Sequence, residues 1–160
     1  MAISFVRVDE RVIHGQIVTA WAGEYDCDGI IGIDDSIAKD PILTNVFKGA
    51  APGTKVWIFD VETALTKLPK IIESNKKYFI IAKKPDTFKR LIEGGASLDN
   101  LNKNKIIVGP MHMRDGARVV GPNAAVSKED EEAFDFLEKR YTIEFRLVPT
   151  ATSYYWRDVK

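Results

Sequence analysis

A single cysteine, Cys27, stands in the 160 residues, so no disulfide can close within the chain. A reducing compartment suits that usage, and the fold must rest on packing. Cys27 lies between Asp26 and Asp28 and reads either as a reactive thiol or as a packing residue. Acidic neighbours raise a thiol's pKa, which favours packing. An excess of either charge is also missing: 23 basic side chains face 23 acidic ones. That balance argues against nucleic acid, which calls for a basic stripe. No apolar run approaches the roughly 20 residues of a membrane-spanning helix, so a role at a membrane would come through a partner. The opening Met1-Ala-Ile-Ser-Phe5 lacks a basic start and Arg7 follows too soon for a signal peptide, which makes a cytoplasmic protein the expectation. The only histidines are His14 and His112. Neither His-x-x-x-His nor Cys-x-x-Cys occurs, so no metal and no cofactor are expected.

Hydrophobic residues make up 45% of the chain, enough for a core, and residues 1–160 read as one domain. Short apolar runs alternate with amphipathic stretches, the pattern of an α/β fold. An open, mainly parallel sheet with helices on both faces is expected. Strands are predicted at Ser4–Val8, Gly29–Ile33, Lys55–Phe59, Lys77–Ala82, Lys105–Val108 and Thr142–Leu147; several are continuous Ile/Val/Phe runs, as sheets covered on both faces require. Helices are predicted at Gly15–Ala22, at Ser36–Lys48 with Ser36 as a cap, and at Val61–Leu68, broken by or continuing past Pro69. Two more are predicted at Asp86–Glu93 and Lys128–Arg140. Ser127 with Glu131 suggests a capping box for the last. Phe134, Leu137 and Tyr141 repeat at helical spacing and read as core, as do Trp21 and Trp57. Residues 109–125 hold three glycines and two prolines, and a β-hairpin is expected there, with Asp115-Gly116 as the turn signal.

The run from Ser4 to Trp21 carries the chemistry. It reads as a buried strand, a charged turn, and a helix that starts at His14. Imidazole titrates near neutrality, so it can be an unprotonated nucleophile. Amides of the first helical turn, from Gly15 and Gln16, and the helix dipole suit a phosphoryl group. Arg11 offers a fork for phosphate oxygens. Gly15 lets a partner approach the ring. A histidine that merely caps the turn fits the same pattern. Ligands of open parallel sheets bind beyond the carboxyl ends of the strands, which places Asp9, Asp34, Ser36, Lys83, His112 and Arg114 on the same rim.

Other constellations are open on the residues alone. His14 and His112 could join Asp34 or Asp35 around a metal. A receiver-like module could accept phosphate on Asp60 with Asp34, Asp35 and Lys83, although receivers carry their acidic pair after the first strand. Asp34 to Ser36 equally fit turn and cap positions. A non-catalytic interaction domain would use His14 only for packing. The aromatic Tyr154-Tyr-Trp156 is either a docking patch or a tail folded onto the sheet.

Arg7-Val-Asp-Glu-Arg-Val-Ile-His-Gly-Gln16 resembles, position by position, the phosphorylation-site motif of the IIB component of the mannose/fructose/sorbose-type bacterial phosphotransferase system (PTS). Val108-Gly-Pro-Met-His-Met-Arg114 resembles a second family stretch, with Pro110 where glycine is usual and Met113 where an aromatic is usual. Arg146-Leu-Val-Pro-Thr150 is a third. The resemblance implies a phosphotransferase that takes a phosphoryl group from a IIA phosphohistidine and passes it to a sugar entering through membrane IIC and IID components. It implies His14 as acceptor through Nδ1, Arg11 as charge partner, Asp9 as orienter, and peripheral association with the inner membrane. A monomer or a homodimer is compatible with a neutral α/β domain.

Overall fold

The computed structural model describes residues 2–160. Seven strands form one sheet: β1 (Ile3–Val8), β2 (Gly29–Ile33), β3 (Lys55–Phe59), β4 (Tyr78–Ala82), β5 (Lys105–Val108), β8 (Thr142–Phe145) and β9 (Tyr154–Tyr155). Their order is β3-β2-β4-β1-β5-β8-β9, parallel except for β9, which runs antiparallel to β8. A separate hairpin pairs β6 (Arg118–Gly121) with β7 (Ala124–Val126).

Alternation along the strands feeds two apolar clusters, one on each face. Val6, Val8, Ile31, Ile80, Ile106 and Phe145 belong to the first, beneath helices α3 (Val61–Ile72), α4 (Pro85–Glu93) and α5 (Lys128–Leu137). Phe5, Ile30, Phe79, Ile81 and Ile107 belong to the second, with Ile17 and Trp21 from the segment after β1. Phe5 lies 5.0 Å from the Trp21 ring and 4.8 Å from Phe79. The chain therefore leaves β1 toward one face and its neighbour β4 toward the other. The crevice where such connections part is where an open α/β sheet exposes its site.

Local chemistry moved several boundaries. The segment Ser36–Lys48 is two helices, α1 (Asp35–Ala38) and α2 (Pro41–Gly49). Asp34 and Asp40 cap them by accepting from Ile37 N and from Ile42 N and Leu43 N, so Ser36 is not the cap. Helix α3 runs through Pro69 to Ile72; one lost backbone hydrogen bond is outweighed by an apolar face bearing Ala64 and Leu68, both fully buried. The capping box of α5 uses Ser127 with Asp130, because Lys128 is the first helical residue and Asp130 the third. The hairpin turns at Pro122-Asn123, with Asn123 at φ 61°, and not at Asp115-Gly116, which forms an earlier turn. Beyond β8 the tail folds back: Tyr154 stacks on Phe145 at 4.9 Å, and Trp156 is buried with Nε1 donating to Asp135. Burial pushes the Cys27 thiol up to about 11, which keeps it protonated and makes it a packing residue. Among the described residues, no helix is long and apolar enough to cross a membrane.

Candidate active site

The residues after β1 make a tight, strained turn. Val12 N–H donates to Asp9 C=O at 2.9 Å, and Val12 adopts φ 59°. A β-branched residue pays for that left-handed conformation. Burial of Val12 and Ile13 in the second apolar cluster holds it in place. Strain anchored by the core in this way recurs at functional sites.

Asp9 sits at the centre of the turn and is fully buried. Its Oδ1 accepts from Arg11 N at 2.9 Å and Arg11 Nε at 3.1 Å. Its Oδ2 accepts from Arg7 Nε at 3.0 Å, Arg11 Nη2 at 3.1 Å and His14 Nε2 at 3.1 Å. Burial works against the charged carboxylate, but the hydrogen bonds from His14 and Arg11 and the charge of Arg7 outweigh it and hold Asp9 well below the usual carboxylate range. An ionised carboxylate can only accept, so His14 carries a proton on Nε2, and the neutral imidazole then has its lone pair at Nδ1. Nδ1 has no partner among the described residues and is not sealed in the interior; the side chain is 17% exposed. Two arginines share one carboxylate, so these three side chains together carry a net positive charge beside the ring.

Arg11 is engaged already. Its fork closes on Asp9, and Nη1 donates to Gln16 Oε1 at 3.2 Å. Gly15 opens onto free space, since a Cβ built there meets nothing within 4 Å. The helix expected to start at His14 is a short segment that becomes π-helical over Ile17–Trp21. Such insertions often accompany functional sites, but so short an element carries little macrodipole. The positive charge beside His14 thus comes mainly from the arginines.

Strand order sorts the remaining rim residues. β5 adjoins β1, and His112 reaches the His14 turn through Glu10: His112 Nδ1 lies 2.5 Å from Glu10 Oε2, and His112 N–H donates to the same oxygen at 3.0 Å. Arg114 follows on the same loop but turns away, pairing with Asp130 and donating to the carbonyls of His112 and Ala125. β4 intervenes between β1 and β2, which places the end of β2 about 10 Å from that of β1. Asp34 is spent on its cap, and Ser36 is exposed on α1; neither joins the His14 cluster. Asp35 accepts from Val61 N and Arg90, and Asp60 caps α3 through Thr63 N. The acids of the receiver-like alternative are therefore junction and cap residues. No group of three or more His, Cys, Asp or Glu side chains is placed to hold a metal among the described residues. Arg7 and Glu10 complete the cluster although the residue pattern did not single them out. For Arg7 the signal was available: a cation inside the apolar strand Ser4-Phe-Val-Arg-Val8.

The family model for the PTS sorbose-subfamily IIB component matches residues 3–159. The chain belongs to that family. The sorbose-specific EIIB component of Lacticaseibacillus casei is 33% identical over 155 residues, covering 96% of this chain and 92% of that protein. The mannose-specific EIIAB component of Escherichia coli K12 is 31% identical over 152 residues; the match spans 94% of this chain but 46% of that longer protein. Among solved structures, manxB from Thermoanaerobacter tengcongensis superposes with a TM-score of 0.83 at 27% identity, over 96% of this chain and 91% of that one. This PTS IIB component is thus a subunit of a sugar phosphotransferase, with the α/β fold of its family.

Proposed function

We propose that His14 is the transient phosphoryl carrier of this IIB component. Its Nδ1 attacks the phosphoryl group on a IIA phosphohistidine; the Nδ1–P bond forms as the donor's N–P bond breaks. A sugar hydroxyl then attacks the same phosphorus, Nδ1 leaves with its lone pair, and the hydroxyl proton passes to a base or to water. The name of the EIIAB relative, which joins both components in one protein, supports a IIA donor. Membrane IIC and IID components would present the sugar, with this chain on the cytoplasmic side. One observation carries the assignment: the Nε2–Asp9 hydrogen bond leaves Nδ1 as the lone-pair nitrogen of the neutral ring, unpartnered among the described residues, on a side chain that is partly exposed.

Arg11 would stabilise the transferring group by turning part of its fork from Asp9 and Gln16 toward the phosphoryl oxygens. Asp9 would keep Nε2 protonated through both steps, so that the imidazole leaves neutral in the second.

The test is labelling of the full chain with radioactive phosphoenolpyruvate, the general phosphorelay proteins and IIA. One acid-labile, alkali-stable label mapping to His14 is expected. A label cleaved by hydroxylamine would identify an aspartyl phosphate instead. For Arg11→Lys, which retains the charge but not the planar fork, kcat should fall about tenfold with donor affinity nearly unchanged. A rate equal to wild type would remove Arg11 from the mechanism.

A further inference from the structure

We propose that Arg7 is a positioning residue for phosphoryl transfer: from behind Asp9 it fixes the carboxylate that selects the His14 tautomer, and it anchors that carboxylate to the backbone after β8. The inference rests on His14 being the acceptor. Arg7 lies on the face of β1 where alternation calls for an apolar residue, between Phe5 and the end of the strand, and it is fully buried. Burying a guanidinium is costly unless its donors are satisfied. Three are: Nε donates to Asp9 Oδ2 at 3.0 Å, Nη1 to Arg146 C=O at 3.0 Å, and Nη2 to Leu147 C=O at 2.9 Å.

The arrangement is built across an intervening strand. β5 separates β1 from β8, so the guanidinium must pass the end of β5 to reach the carbonyls of residues 146 and 147. It passes at Gly109. A Cβ built at Gly109 would stand 2.5 Å from Arg7 Nη2 and 3.0 Å from Asp9 Oδ2. The Trp21 ring forms a further wall, with Arg7 Cζ 4.9 Å and Arg146 Cζ 5.2 Å from its centroid.

What sets Arg7 apart is where it comes from. The other side-chain contacts of the Asp9 carboxylate, and the Arg11 amide, belong to the 9–14 turn itself and move with it. Arg7 is the side-chain tether from the sheet to that carboxylate among the described residues. Without it, Asp9 can rotate with Arg11, and His14 Nε2–H loses its fixed acceptor. The proton can then move to Nδ1, which removes the nucleophilic lone pair. Oriented carboxylate–imidazole pairs in other sites depend on such supporting groups.

The experiment compares the full chain with Arg7→Lys and Gly109→Ala. Gly109→Ala keeps every charge and presses hardest on the guanidinium, with Asp9 Oδ2 at the edge of contact. Imidazole 15N spectra of His14 are recorded, with kcat and KM for phosphorylated IIA and thermal unfolding as a check of the fold. The wild type should show one tautomer, protonated at Nε2, and both variants a mixture. A fall in kcat of about tenfold or more is expected, with KM within about twofold. A single Nε2–H tautomer with wild-type kcat in folded Gly109→Ala overturns the proposal, and so does a rise in KM alone. If Arg7→Lys does not fold, Gly109→Ala decides. Failure of wild-type His14 to accept label would overturn the acceptor assignment, whereas the tautomer comparison would still judge Arg7.

Discussion

His14→Ala is expected to abolish phosphoryl labelling and sugar phosphorylation while the protein stays folded. The loss of activity is complete in principle, because the variant has no nitrogen to attack phosphorus and His112 lies on another loop, held by Glu10. The cost to stability is small. The side chain is partly exposed, and Asp9 retains its hydrogen bonds from Arg7 and Arg11. Losing one hydrogen bond of this kind costs about 1 kcal/mol. His14→Gln isolates the chemistry further, since its amide N–H can still donate to Asp9 but no imidazole lone pair remains. Labelling and melting curves on both variants check the expectation. Label persisting on either one moves the acceptor elsewhere.

Asp9→Asn should damage both stability and transfer. Asp9 is a buried carboxylate between a buried cation and a half-exposed one. Removing its charge leaves Arg7 buried without a counter-ion, and breaking such a pair from one side costs about 3–5 kcal/mol. Transfer should fall further than stability alone requires, because an amide can offer its NH2 as well as its carbonyl to Nε2, and the ring loses its enforced tautomer. Acid sensitivity gives an independent readout. Asp9 is more acidic in the folded protein than in the unfolded chain, so its contribution is complete above the unfolded carboxylate range, near pH 4. That contribution drains away as pH falls through this range toward the folded value. Chemical denaturation across the acid limb should therefore show a shallower slope for Asp9→Asn than for wild type. Equal slopes would mean that Asp9 is not the buried, depressed carboxylate described here.

Most strands were legible because each is a local run of β-branched and aromatic residues that both faces of a sheet accept. Lys55–Phe59 and Lys105–Val108 carry their boundaries in the residues themselves. Caps were harder. Asp34 and Asp40 compete with Ser36 for the same turn, and a shift of one residue changes which oxygen meets an amide. Pro69 shows the same limit: its local preference ends a helix, yet burial of Leu68 and Ala64 carries α3 past it.

The candidate site divides along the same line. By itself the sequence determined that His14 follows a buried strand, that Asp9, Arg11 and Gln16 lie within a few residues of it, and that the motif resembles that of a PTS IIB component. Those relations are short-range, and a tight turn enforces them. Tertiary structure alone decided which distant residues share the site. Setting β5 beside β1 brings Glu10 to His112 and opens the passage at Gly109 for Arg7, while interposing β4 removes Asp34 and Ser36 from the cluster. The reason is physical: strand order emerges from how whole faces bury against helices, and no run of neighbouring residues encodes that sum.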